Sequence, residues 1–167
     1  MHMISAKDIE ILRSIARAAS DYDAIKRLLA ETQWEIEEDE VDLGFLRIFI
    51  RDASGECYRL IIGYRDPDHP PYFLLTFAVL PEFEKHLAEF NASYRSAVET
   101  LTRHFGAATV GGERQFSFRS WPYAYCRWSL PEGEFTLVQD EFDIQDGMDV
   151  TLWKHPVGTP LEEIVHQ

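Results

Sequence analysis

The chain holds only two cysteines, Cys57 and Cys126, and neither has a CxxC neighbour. A disulfide framework is therefore not what organises it, and a reducing compartment fits best. No run of about 18 apolar residues exists, so no helix is expected to span a membrane. Met1-His2-Met3 lacks the basic start and following apolar run of a secretory signal. The 9 glycines fall into neither GxGxxG nor GxxxxGK[ST], which excludes the usual phosphate-cradling loops. GxSxG and HExxH are missing, and no Cys/His pair stands at zinc spacing. The six histidines, at 2, 69, 86, 104, 155 and 166, are scattered and read as surface or turn residues. Basic residues are the last shortage, at 16 against 29 acids, for a net charge of −13. A duplex nucleic-acid binder needs a basic stripe to displace counterions, and none is visible.

What is present is a core-forming composition. Of 167 residues, 46% are apolar and 13% aromatic, and the length suits one domain. The acid gathers at the two ends: net charge is −5 over residues 1–40 and −7 over 121–167, against −1 and 0 for 41–80 and 81–120. Such a surface favours solubility and basic partners.

Periodicity predicts an α+β fold in a single domain. Ile9, Leu12, Ile15, Ala16 and Ala19 mark a helix over 5–19, with Ser5 and Asp8 as a capping box. Ser20-Asp21 offers a fresh cap for a second helix over 22–31. The acidic run Glu35 to Asp42 reads as a solvated connection. Three antiparallel strands follow, at 45–51, 57–65 and 72–79. The loop Ala53-Ser54-Gly55, with glycine third, sets Arg51 opposite Cys57, Phe49 opposite Arg59 and Arg47 opposite Ile61. Leu46, Ile48, Ile50, Tyr58, Leu60 and Ile62 then share one buried face, and Arg47, Arg51, Arg59 and Arg65 the other. Asp66 to Pro71 is a turn. A central helix over 92–105 has the stripe Tyr94, Ala97, Val98, Leu101 and Phe105, Asn91 as cap and Gly106 as terminator. A second strand set is expected at 114–119, 123–130, 134–140 and 148–154, with Pro131-Glu132-Gly133 as another three-residue loop. The halves 5–80 and 91–155 thus read as a candidate helix-plus-strands repeat, with Ala24-Ile25-x-x-Leu28 and Ala97-Val98-x-x-Leu101 each preceding a strand set.

Two features carry the functional reading. Phe116 to Trp128 holds more rings than alternation can bury, and Trp121-Pro122-Tyr123 falls at an expected turn. Trp, Tyr and Arg dominate binding hot spots, so Trp121, Tyr123 and Tyr125 are candidate partner anchors. The acids Asp140, Glu141, Asp143, Asp146 and Asp149 would form a solvated rim. They do not build a calcium loop: with Gly147 at the sixth position, Phe142 and Ile144 occupy the first and third. The second feature is the arginine face, where Arg47, Arg51 and Arg59 are candidate anion ligands. The competing readings are rings that fill a core and arginines that meet water or the protein's own acids.

The segments Tyr94 to Gly106 (YRSAVETLTRHFG), Trp128 to Leu137 (WSLPEGEFTL) and Val150 to Trp153 (VTLW), with the order of elements, resemble small bacterial immunity-type proteins encoded beside polymorphic toxins. The layout is also similar to that of secretion-chaperone-like proteins. The resemblance covers about the last 75 residues by pattern, implies a cytosolic inhibitor without catalysis or cofactor, and transfers no functional residue. The expectation is a cytoplasmic protein-binding module engaging another, basic protein. No cofactor, metal, nucleic acid or membrane is expected. A small-molecule binder or enzyme with a pocket between helix and sheet is the alternative, and a homodimer built on an uncovered sheet face is a third.

Overall fold

The computed structural model describes residues 4–18, 21–40, 45–51, 54–55, 57–63, 73–80, 84–115, 119–143 and 147–165. The expected turn at 66–71 lies outside them, as do Arg65, Phe116 to Phe118 and Asp146. Among the described residues there are three α-helices and eight β-strands, and the strand pairings described are antiparallel, giving the expected α+β fold. The chain divides into two compact units, Met1–Leu75 and Thr76–Gln167.

The first unit opens with α1 (Ala6–Ala18) and α2 (Tyr22–Ala30). Apolar residues at helical spacing bury one side of each: Ile9, Leu12, Ile15 and Ala16 on α1, Ile25 and Leu29 on α2. The Ser5–Asp8 box forms at the start of α1. Asp8 donates its backbone N–H to Ser5 Oγ at 3.1 Å, and its Oδ2 accepts from the Ser5 hydroxyl at 2.6 Å. Its other oxygen accepts from Trp34 Nε1 at 3.0 Å, so one carboxylate caps α1 and holds the chain that leaves α2. Asp21 caps α2 by accepting from Ala24 N at 3.0 Å.

Glu35–Glu40 is a strand, β1, and not the expected solvated connection. Its backbone pairs with β2 (Phe45–Arg51), from Glu35 opposite Phe49 to Glu40 opposite Phe45, with a bulge between Ile36 and Glu38. The charges oppose strand formation less than expected because, among the described residues, β1 ends the strand order and has a partner on one side only. β2 and β3 (Cys57–Gly63) pair in the register read from the sequence, and Gly55 takes φ +85° in the loop between them. The six apolar residues expected inside are buried. On the opposite face Arg47, Phe49, Arg59 and Ile61 are half-buried, while Arg51 and Cys57 are exposed. β4 (Phe73–Leu80) crosses the division between the units.

In the second unit a 3-10 turn at Glu84–His86 leads into α3 (Leu87–Phe105). The helix starts earlier than expected because Leu87 and Phe90 extend its apolar spacing upstream. Asn91 lies inside it and accepts from Gln139 Nε2 at 2.9 Å, so it does not cap. The stripe is also rotated from expectation: Phe90, Ser93, Ala97, Thr100 and Leu101 are buried, with Tyr94, Val98 and Phe105 half-buried. Gly106, at φ +84°, ends the helix. Strands β5 (Val110–Gln115), β6 (Pro122–Leu130), β7 (Gly133–Asp143) and β8 (Gly147–His155) then form a meander. Leu130 pairs directly with Gly133, so the loop between β6 and β7 has two residues, Pro131-Glu132, and glycine opens the strand. α3 packs on β6, β7 and β8. Phe90 meets Tyr123 edge to face at 5.5 Å, Phe105 lies 5.9 Å from Trp128 and 5.1 Å from Phe135, and Trp128 Nε1 donates to Gly106 O at 3.1 Å.

Because Asp8 serves the helix cap and Trp34 together, Asp8→Ala should lower unfolding free energy by about 2 kcal/mol, the loss of a cap plus a side-chain hydrogen bond. Urea denaturation with an unchanged m-value would show it. A loss within a few tenths of a kcal/mol would mean that Asp8 fixes neither.

Candidate functional site

β7 carries carboxylates into the interior of the second unit. Glu134, Asp140 and Glu141 are 8%, 2% and 5% exposed, and Asp149 on β8, opposite Asp140 in register, is 7% exposed. The solvated rim expected at Asp140, Glu141 and Asp149 is therefore corrected: these acids point inward, where bonding partners meet them. Arg114, on β5, donates from Nη2 to Asp140 Oδ1 at 2.6 Å. Arg119, just before β6, grips Glu141 with two bonds, Nε to Oε1 at 2.7 Å and Nη2 to Oε2 at 2.9 Å. The Tyr123 hydroxyl also donates to Glu141 Oε1, and the Glu141 backbone N–H donates to Asp140 Oδ1 at 2.9 Å. Asp149 accepts from Thr151 Oγ1 at 2.8 Å.

Tyr123 is wholly buried, which corrects its expected outward position in a turn. Its ring lies on Phe90 and under the Arg114 guanidinium, 5.6 Å from the centroid. Burial and the adjacent Glu141 push its hydroxyl well above the ordinary tyrosine range, so it stays a donor. Trp121 and Tyr125 are half-buried, and Arg119 stands 5.8 Å from the Trp121 ring. The Trp121 Nε1 atom is buried and has no hydrogen-bond partner among the described residues. Asp143 closes the β7–β8 ladder opposite Gly147. On the arginine face Arg51 meets Glu35 at 3.4 Å in an exposed pair. Arg47 and Arg59 are half-buried, with their Nε atoms out of contact with water.

A second cluster, missed in the sequence, gathers where β7 meets the end of β8. His155, expected at the surface, is 6% exposed. Its Nδ1 lies 3.0 Å from Pro156 O, which can only accept, so Nδ1 carries the proton and Nε2 accepts from Thr136 Oγ1 at 2.7 Å. Thr136 Oγ1 in turn accepts from Arg127 Nε at 2.9 Å. Glu134 sits 3.5 Å from Arg127 Nη1 and 3.9 Å from His155 Nδ1, and accepts from Ser129 Oγ at 3.2 Å and Gly158 N at 2.9 Å. Hydroxyl, imidazole and carboxylate thus stand in the order of a nucleophilic triad. Thr136 is 0% exposed, so no substrate reaches its hydroxyl here. Burial holds the His155 pKa below its ordinary value, with Arg127 and Lys154 pressing the same way and Pro156 O and Glu134 opposing. The signal in the sequence was alternation: Glu134, Thr136, Val138 and Asp140 share a strand face with Arg127 as cross-strand partner of Thr136. Strand spacing alone leaves open which face is buried.

Among the described residues no group of acids, histidines and cysteines could hold a metal ion, and no helix is long and apolar enough to cross a membrane. Cys57 and Cys126 are free thiols. Comparison of the chain with protein-family models, curated proteins and solved structures finds no match.

Removing Arg119 would leave the Glu141 carboxylate buried without its bidentate partner. Arg119→Ala should therefore cost about 3–5 kcal/mol of stability, and a joint Arg119→Met, Glu141→Leu replacement much less. Equal losses in the single and double variants, read by denaturant unfolding, would show that packing and not charge accounts for the cost.

The neutral His155 also predicts a pH dependence. The unfolded chain takes up a proton as pH falls through about 6.5, while the folded chain resists it. The folded state then binds fewer protons, so this contribution to stability is complete above pH 6.5 and is lost as pH falls below it. His155→Gln should flatten the decline in urea midpoint between pH 7 and pH 5.5. A decline of undiminished slope in the variant would remove His155 from the account.

Proposed function

We propose that the chain is a non-catalytic, cytosolic protein-binding module whose partner is a basic protein, a role in keeping with the immunity-type and chaperone-like proteins that it resembles. The observation that carries this reading is the internal pairing of charge. Arg114, Arg119 and Arg127 are each turned onto a buried carboxylate, so each of these pairs is neutral. The net charge of −13 therefore belongs to the rest of the chain, where arginine is scarcer still. A field of that sign raises the association rate of a basic protein more than its final affinity. Non-catalysis is supported by the state of the reactive groups: the carboxylate oxygens of Glu141 are taken up by Arg119 and Tyr123, and the triad-like series ends in a hydroxyl without access. Trp121 and Tyr125 remain partly open and serve as anchors.

The test is capture of partners on the tagged protein at low salt, elution in salt steps, and association kinetics with the protein recovered. A basic protein should elute sharply, with an association rate that falls about tenfold or more as the Debye length shrinks from roughly 10 to 3 Å. Trp121→Ala should weaken the complex by about 2 kcal/mol while leaving the fold intact. A partner bound at a salt-independent rate, or no protein partner at all, would overturn the reading.

A further inference from the structure

We propose that the outer edge of β5 is the docking site itself, and that an extended, basic segment of the partner adds to it as a further strand. This rests on the reading of the chain as a binder of a basic protein and names how that partner is held.

Among the described residues β5 stands at one end of the strand order, paired with β6 on its inner side from Val110 to Gln115. Val110, Gly111, Gly112 and Glu113 are all exposed. An end strand presents a row of backbone donors and acceptors, and proteins guard such edges with charge, proline or a bulge. β1, the end strand of the first unit, is guarded in this way: its sequence is Glu-Ile-Glu-Glu-Asp-Glu, and a bulge interrupts its pairing. β5 is not. Its charged residues are Glu113 and Arg114, and the Arg114 guanidinium is turned inward onto Asp140 and the Tyr123 ring. Gly111 and Gly112, on opposite faces of the strand, add no side chain at all.

Tyr125 gives the edge a chemistry. It is the register partner of Gly112, and its ring lies across that glycine: a Cβ there would stand 3.1 Å from the phenol oxygen and 3.3 Å from ring carbons. Glycine thus lets the ring reach β5. A lysine or arginine set opposite Gly112 by an added strand meets no β5 side chain and comes against the Tyr125 ring, a cation–π contact. Strand addition of this kind takes affinity from backbone bonds and specificity from alternate side chains. The net charge of −13 selects the sign of the segment, and it opposes a second copy of this chain in the same place.

The probe is a labelled peptide of about eight residues with alternating arginine and valine, long enough for one strand. It is compared with the same peptide carrying N-methyl groups along one edge, which keeps charge and side chains but removes donors. Binding by anisotropy should come with slowed amide exchange confined to residues 110–114, and N-methylation should weaken it by at least about tenfold. Gly111→Lys should do the same, since a Cβ there makes only ordinary contacts, the nearest at 3.5 Å, and guards the edge with charge. Glu163→Gln, an exposed change of equal charge elsewhere, should leave binding unaltered. Equal affinity for the N-methylated peptide, or protection elsewhere, would overturn the edge while leaving the basic-partner reading intact. Failure of the peptide to bind a protein that captures a basic partner would do likewise; failure of both would remove both. A concentration-dependent dimer that slows the same amides without peptide would assign the edge to a second copy and overturn the proposal.

Discussion

A carboxylate inside a protein is tolerated only when its charge is met, and β7 carries Glu134, Asp140 and Glu141 inward together. The arginines that meet them come from β5, from the residue stretch before β6 and from β6 itself. Arg114 reaches past β6 to Asp140, so β5 is tied to β7 by charge as well as to β6 by backbone. This bears on register. A one-residue slip of β5 would turn Arg114 to the other face and leave Asp140 buried without it, opposite Asp149. Such pairs add little net stability over an apolar pair of the same shape, but they make the wrong arrangement costly.

The same pairing shapes the surface. An arginine on an end strand would ordinarily guard the strand's free backbone. Here its guanidinium is required inside, and the edge that results carries two glycines and one exposed glutamate. The bareness of β5 and the neutrality of the interior are one arrangement seen from two sides.

The sequence was most informative where local geometry decides. Gly55 at the third loop position set the β2–β3 register, and with it the buried face from Leu46 to Ile62. Caps at Ser5, Asp8 and Asp21 were legible because they act across three residues. Glu35 to Glu40 forms a strand despite its acids because charge argues against a strand only when both edges and a face need covering. The buried pairs were out of reach for another reason: Arg114 and Asp140 stand 26 residues apart, Arg119 and Glu141 22. Period-2 alternation says which residues share a face, and nothing in it says whether that face meets water. Alternation alone therefore leaves Asp140 and Glu141 on a solvated rim and Tyr123 pointing outward, where burial puts all three inside.

His155, Thr136 and Glu134 carry that point to function. Residue type and mutual distance alone would nominate them as a nucleophile, its base and an orienting acid. The hydrogen-bond directions remove the nomination. Arg127 Nε–H donates to the Thr136 hydroxyl, which donates to His155 Nε2, and His155 Nδ1–H donates to Pro156 O, with Glu134 held instead by Ser129 and Gly158 N. The series ends on backbone and on an arginine, and the strand that bears it is closed to water. A hydroxyl primed by an imidazole becomes a nucleophile only where an electrophile can approach; where none can, the same bonds fasten β6, β7, β8 and the C-terminal segment to one another.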